Sequence, residues 1–131
     1  MWIEPKTDWS AEDYINIEDI NRIIGNIAYL EIVAKPYYPD CAIPPQEYVT
    51  YTTPHIPDII NTIESRLQIA NSSTVKVPDF PAQKTWEVDG PFYTYEDLNR
   101  IEGATLTLYN IIIGIGKNKP VLPYEFGGWR L

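Results

Sequence analysis

One short phrase recurs three times along this chain, and nothing else restricts its fold as much. It reads NIEDINRI at 16–23, DIINTIE at 58–64 and TYEDLNRIE at 94–102. The shared kernel is Ile or Leu, Asn, any residue, then Ile, at 20–23, 60–63 and 98–101. The two intervals between kernels are nearly equal, as in chains built from repeated supersecondary units. The first and third copies also share Glu-Asp before the kernel, an Arg within it (Arg22, Arg100), aromatic residues ahead of it (Tyr14; Phe92, Tyr93) and a Trp farther upstream (Trp9; Trp86). We read three degenerate copies of one unit, at about 7–35, 46–72 and 85–116, with the middle copy most decayed. The repeat length is about 39 residues, within the range of known repeat architectures.

Each copy predicts an amphipathic helix with a marked start. Asn16 with Asp19, and Thr94 with Asp97, stand three residues apart like the two members of a capping box. Glu18–Arg22 and Glu96–Arg100 are i,i+4 pairs worth about 0.2–0.5 kcal/mol each. Apolar residues follow at helical spacing, for example Ile20, Ile24 and Ile27; Ile60, Ile63 and Leu67; Leu98, Ile101 and Leu108. A single stripe of this kind cannot be buried alone, so the helices must pack on one another. The fold expected is mainly α: a three-helix bundle, as one domain over 1–131, with extended Pro- and aromatic-rich connections, short β segments and extended arms.

The arms are 1–9 and 117–131. Pro5 keeps the first arm extended, with Trp2 and Trp9 set to lie on the body. Helix one is expected over about 16–34, and the Pro-rich stretch at 35–45 then breaks it. Residues 46–53, rich in β-branched and aromatic types, predict a short strand, and Thr53-Pro54 a helix cap and first turn. Helix two is expected to end near Ala70. Residues 85–88 and 92–94 flank an Asp-Gly turn and suggest a tiny hairpin. Helix three is expected to stop near 114–116. The aromatic tail (Tyr124, Phe126, Trp129) folds back or docks on another subunit.

The repeated asparagines, Asn21, Asn61 and Asn99, each sit one residue beyond a core Ile or Leu, at the edge of the buried stripe. A primary amide both donates and accepts, so these side chains are suited to clamp passing backbone and fix its register.

Composition narrows the function. A net charge of −8 argues against nucleic acid, which demands a basic face, and against an anionic membrane surface. A single cysteine, Cys41, excludes an intrachain disulfide and suits a reducing compartment. The opening Met-Trp-Ile-Glu-Pro-Lys has no apolar run of a secretory leader. The lone His55, between prolines, reads as a surface or capping residue, and Cys41 as a free thiol. No zinc, calcium, P-loop or dinucleotide spacing appears, so neither metal nor cofactor is expected. The carboxylate pairs Glu12/Asp13, Glu18/Asp19 and Glu96/Asp97 have the composition of a glycosidase acid–base pair. They fall at helix starts, where a capping role suffices.

The segments PKTDW (5–9), DYINIEDINRI (13–23) and YEDLNRIE with TLTLYN (95–110), and a glycine-bearing C-terminal stretch, resemble a group of small proteins. These are encoded among the tail and fibre genes of phages and prophages of Gram-positive bacteria. The likeness covers most of the chain and is weakest over 36–55 and 71–84. Its motifs are capping and packing motifs. The resemblance implies a non-enzymatic virion protein of the tail, baseplate or a fibre, made in the host cytoplasm. Its partners would be other virion proteins, or copies of itself in a ring or fibre. The candidate docking residues are Trp2, Trp9, Tyr124, Phe126 and Trp129. The alternative is a glycan-binding or glycan-cleaving adhesin module, with the aromatic residues as a sugar shelf.

Overall fold

Three helices carry the fold: α1 (Ile17–Ala34), α2 (Pro57–Ser72) and α3 (Tyr95–Asn118). The structure is a computed structural model that describes residues 1–53 and 57–118. His55, Tyr124, Phe126 and Trp129 lie outside the described residues.

The start of α1 follows from its sequence. The Asn16 side chain accepts from the Asp19 N–H at 3.0 Å, and Asp19 accepts from the Asn16 N–H at 3.0 Å. That reciprocal box satisfies two donors that a helix end leaves without partners. Asn16→Ala is therefore expected to cost about 1 kcal/mol, read as a lower midpoint in chemical denaturation. At α3 the arrangement is one-sided: Asp97 accepts from the Thr94 N–H at 2.9 Å and from its hydroxyl at 3.3 Å. Pro57 opens α2, at the position where a missing N–H costs nothing.

The three apolar stripes face inward as their periodicity predicts. Ile24, Ile27 and Leu30 of α1, Ile63 and Leu67 of α2, and Ile101, Leu108 and Ile112 of α3 are almost wholly buried together. Each such side chain contributes about 1.5–3 kcal/mol on leaving water. Trp9, Cys41 and Ile43, from the arm and the first connection, complete the core.

All three helices run the same way. Their N-terminal ends share one cleft, lined by Ile17 of α1, Ile59 and Ile60 of α2, and Tyr93 just ahead of α3. Their C-terminal ends meet too: Gly116 of α3 lies under the Tyr37 ring beyond α1, and the Ser73 hydroxyl beyond α2 donates to Cys41 Sγ at 3.4 Å. Parallel neighbours require long returns. The connections at 35–56 and 73–94 match each other in length, and both are several times longer than the short loops that join antiparallel helices in bundles.

Three expectations change. Among the described residues there is no strand: 46–53 and 85–94 are extended backbone and turns. They resemble strands because the local conformation is the same, but helix side chains replace a neighbouring strand as their partner. The Thr53 hydroxyl accepts from the Thr50 N–H at 2.8 Å and closes the turn at 50–53; the cap and first turn expected at Thr53-Pro54 run into residues 54–56, outside the described residues. Helix α3 passes through Gly114 and Gly116 instead of stopping there. At Gly116 a Cβ would collide with the Tyr37 hydroxyl, so glycine there permits close approach. Arg22 and Arg100 do not pair with Glu18 and Glu96; they bind Asp19 and Asp97 one turn back, and reach beyond their own helices.

Candidate functional site

The kernel asparagine is the fifth residue of each helix, and each amide grips both backbone groups of one distant residue. Asn21 donates to Val49 O at 3.1 Å and accepts from Val49 N–H at 2.8 Å. Asn61 holds Trp86 in the same way, at 2.8 and 2.7 Å. Asn99 holds Trp9 at 3.0 and 2.7 Å. Each gripped residue is followed at once by a turn, closed by the Asp13, Thr53 and Gly90 N–H groups on Ser10, Thr50 and Glu87 carbonyls. A helix then begins shortly after each turn, at Ile17, Pro57 and Tyr95. So α1 holds the lead-in of α2, α2 that of α3, and α3 that of α1. The ring closes on itself.

Ion pairs reinforce two of the three junctions. Glu102 of α3 accepts from Arg22 Nε at 3.0 Å and Nη2 at 2.7 Å, from the Trp9 indole at 2.7 Å and from the Lys6 N–H at 3.1 Å. Glu64 of α2 repeats the pattern with Arg100 (2.8 and 2.6 Å), the Trp86 indole (3.2 Å) and the Lys84 N–H (3.1 Å). Both carboxylates are 1% exposed, so this full set of donors is what makes their charge tolerable. Partnership with Glu102 and Glu64 holds the guanidinium groups of Arg22 and Arg100 firmly charged.

The third junction lacks the whole set. Where Glu64 and Glu102 follow their asparagines by three residues, α1 has Ile24; where Arg22 and Arg100 follow by one, α2 has Thr62; and Val49 replaces tryptophan. Arg66 substitutes there. It is buried and donates to Pro44 O at 2.7 Å, Ile24 O at 3.3 Å and Gln46 Oε1 at 3.2 Å. Burial, with those acceptors neutral, pushes its pKa down.

The weakened junction opens at the N-terminal end of the bundle. An apolar cleft of about 230 Å³ lies there, floored by Ile17, Ile20, Val49, Ile59 and Ile60, with Tyr51 at its mouth. An equivalent cleft of about 320 Å³ stands at the next junction, with Trp9, Tyr95 and Leu98 where the first has Val49, Ile17 and Ile20. Ile15 and Tyr93 line both, so the two abut. Tyr51, which lines the first cleft, is 90% exposed, and Tyr14 and Phe92, the chain neighbours of the shared lining residues Ile15 and Tyr93, are 92% and 72% exposed. Most isolated apolar residues on a surface need no explanation; a cluster around an apolar cleft marks a contact site.

The remaining sequence candidates fall into place as structure. Trp9 is buried, and Trp2 stacks on Tyr109 with ring centroids 3.8 Å apart, so the first arm is engaged within its own bundle. A fourth amide, Asn26, holds Ile3 N–H at 2.9 Å and O at 2.7 Å. The paired carboxylates serve local structure: Asp13 accepts from Ser10 N–H at 2.8 Å, Asp19 caps α1, and Asp97 caps α3. Among the described residues no cluster of His, Cys, Asp and Glu suits a metal. Nor, among those residues, is any helix long and apolar enough to cross a membrane.

Asp97 gives the fold an acid limit. Burial pushes its pKa up, but the Thr94 N–H, Lys84 at 2.9 Å and Arg100 outweigh that and hold it below the ordinary 3.8. A depressed carboxylate stabilises the fold above its unfolded value, and that contribution fades as pH falls through the folded value. Denaturation midpoints should therefore drop as pH falls below about 4. In Asp97→Asn that part of the acid dependence should be missing.

Glu64, Glu102 and Arg66 escape a reading of the sequence that looks for catalytic spacing. The signal was present: a charged residue on an apolar stripe, flanked by Ile60, Ile63 and Leu67 for Glu64, demands a buried partner. Comparison with protein-family models, curated proteins and solved structures finds no match to this chain.

Proposed function

We propose that the protein is a non-enzymatic structural component of an assembled particle, and that it binds neighbouring subunits through exposed aromatic side chains. The resemblance of its sequence directs this to a phage virion, in the tail, baseplate or a fibre. The observation that carries the reading is the exposure of Tyr51 on an apolar cleft, and of Tyr14 and Phe92 next in chain to its lining residues Ile15 and Tyr93, on a frame whose buried carboxylates are saturated with donors. Aromatic side chains at the rim of an apolar pocket are the usual anchors of protein contacts. Carboxylates tied into four hydrogen bonds serve a frame better than a proton-transfer step.

Within this reading the three units derive from a single ancestral unit. The fifth-residue asparagine, the gripped lead-in and the turn that follows it support common descent. The joint absence of Glu, Arg and Trp at one junction fits decay of a set whose members are useful only together.

The test is particle composition. Purified virions should contain this chain in many copies. Tyr51→Ala combined with Phe92→Ala should lower its incorporation while leaving the thermal midpoint in place. Absence from particles would overturn the proposal. Saturable binding of cell-wall polysaccharide by the isolated chain, lost in the same variant, would favour the adhesin reading instead.

A further inference from the structure

We infer that the aromatic segment 119–131 of one copy docks into the apolar cleft at the N-terminal end of a second copy, so that copies join head to tail. This rests on the reading of the protein as an assembly component, and it names a partner.

Polarity of the bundle is the first ground. Because the helices are parallel, the cleft beside Ile17 and Ile60 lies at one end, and α3 ends at Asn118 at the other. Reach is the second. The 24 residues of α3 span about 36 Å. At about 3.6 Å per residue, Phe126, eight residues past Asn118, extends at most about 29 Å, and Tyr124 less. Those two fall short of the cleft of their own chain, and Trp129, eleven residues past Asn118, spans about 40 Å and reaches it only when fully extended; the cleft of a copy stacked below demands no such extension. Chemistry is the third. The segment offers Tyr124, Phe126 and Trp129 to a cleft lined by isoleucines and tyrosines. Lys119, Arg130 and Glu125 give it a net charge of +1, in a chain of net −8. The receiving end exposes Glu12, Glu18, Asp58 and Glu96, so the juxtaposition is attractive. A contact between two different surfaces of one chain gives rings or filaments, not closed pairs.

The experiment uses the full chain in three forms: the parent, a segment variant (Phe126→Ala with Trp129→Ala) and a cleft variant (Tyr51→Glu). Tyr51 is 90% exposed, so its replacement leaves the core alone, and circular dichroism confirms that each form is folded. In sedimentation velocity the parent should form a concentration-dependent series of oligomers. Each variant should self-associate at least about thirtyfold more weakly, the loss of one interface anchor. Mixed in equal amounts, the two variants should form a one-to-one dimer and nothing larger, since only one intact segment then meets one intact cleft. A parent that stays monomeric at its highest soluble concentration overturns the inference. So does a segment variant that assembles like the parent, or a mixture that stays monomeric. If the parent is monomeric yet abundant in virions, only the head-to-tail contact fails. If it self-assembles yet is absent from virions, only the particle reading fails.

Discussion

Replacing Glu102 by Gln should lower stability by about 3–5 kcal/mol, the cost of breaking an ion pair whose carboxylate is buried. For a chain of this length that corresponds to a fall of about 10–20 °C in Tm. The size follows from what the carboxylate holds at once: the Arg22 guanidinium through two bonds, the Trp9 indole, and the Lys6 N–H. Gln keeps the shape but removes the charge, and its NH₂ faces a donor. Arg22 retains only Asp19, at 2.8 Å. Removing both partners, as Arg22→Met with Glu102→Met, should cost clearly less than the sum of the single changes, because no uncompensated ion remains. Additive losses in thermal or urea denaturation would show that the pair is not coupled as described.

Asn99→Ala should cost about 2–3 kcal/mol, since it strips partners from both the N–H and the C=O of Trp9, each worth about 1–3 kcal/mol when left unpaired. Part is recovered if the arm lifts and water reaches those groups. That lifting is itself measurable: trypsin should cut after Lys6 at protein concentrations where the parent chain resists, and the Trp9 amide should lose hydrogen-exchange protection. Asn110→Ala, at an exposed position of the same helix, should change stability by less than about 0.5 kcal/mol. Equal effects at 99 and 110 would reduce the clamp to a surface amide.

Much of this frame is legible in the sequence, and the gaps have physical causes. Helix positions follow from apolar spacing and caps, so α1 and α2 fall close to their expected bounds. The asparagines stand out because a polar residue repeated at the edge of an apolar stripe requires a reason. Their partners do not, since which residue passes a given amide depends on how helices sit in three dimensions. Residues 46–53 look like a strand because extended β-branched backbone is common to both states; only the partner differs. The parallel arrangement is not read from the sequence; it emerges with the helix bounds, which leave two connections of equal length, too long for a tight reversal. Nor is the aromatic end, because exposure of Tyr14, Tyr51 and Phe92 is a property of the packed bundle, not of the residues.

The parallel ring can be tested by distance. Spin labels placed pairwise at Glu18, Asp58 and Glu96, exposed residues in the first turns of α1, α2 and α3, probe it directly. Helix axes in contact lie about 8–10 Å apart, so three N-terminal ends gathered together predict three similar label separations of about 15–20 Å, side-chain linkers included. Were any helix reversed, its label would sit a helix length away, and two of the three separations would lengthen to about 25 Å or more.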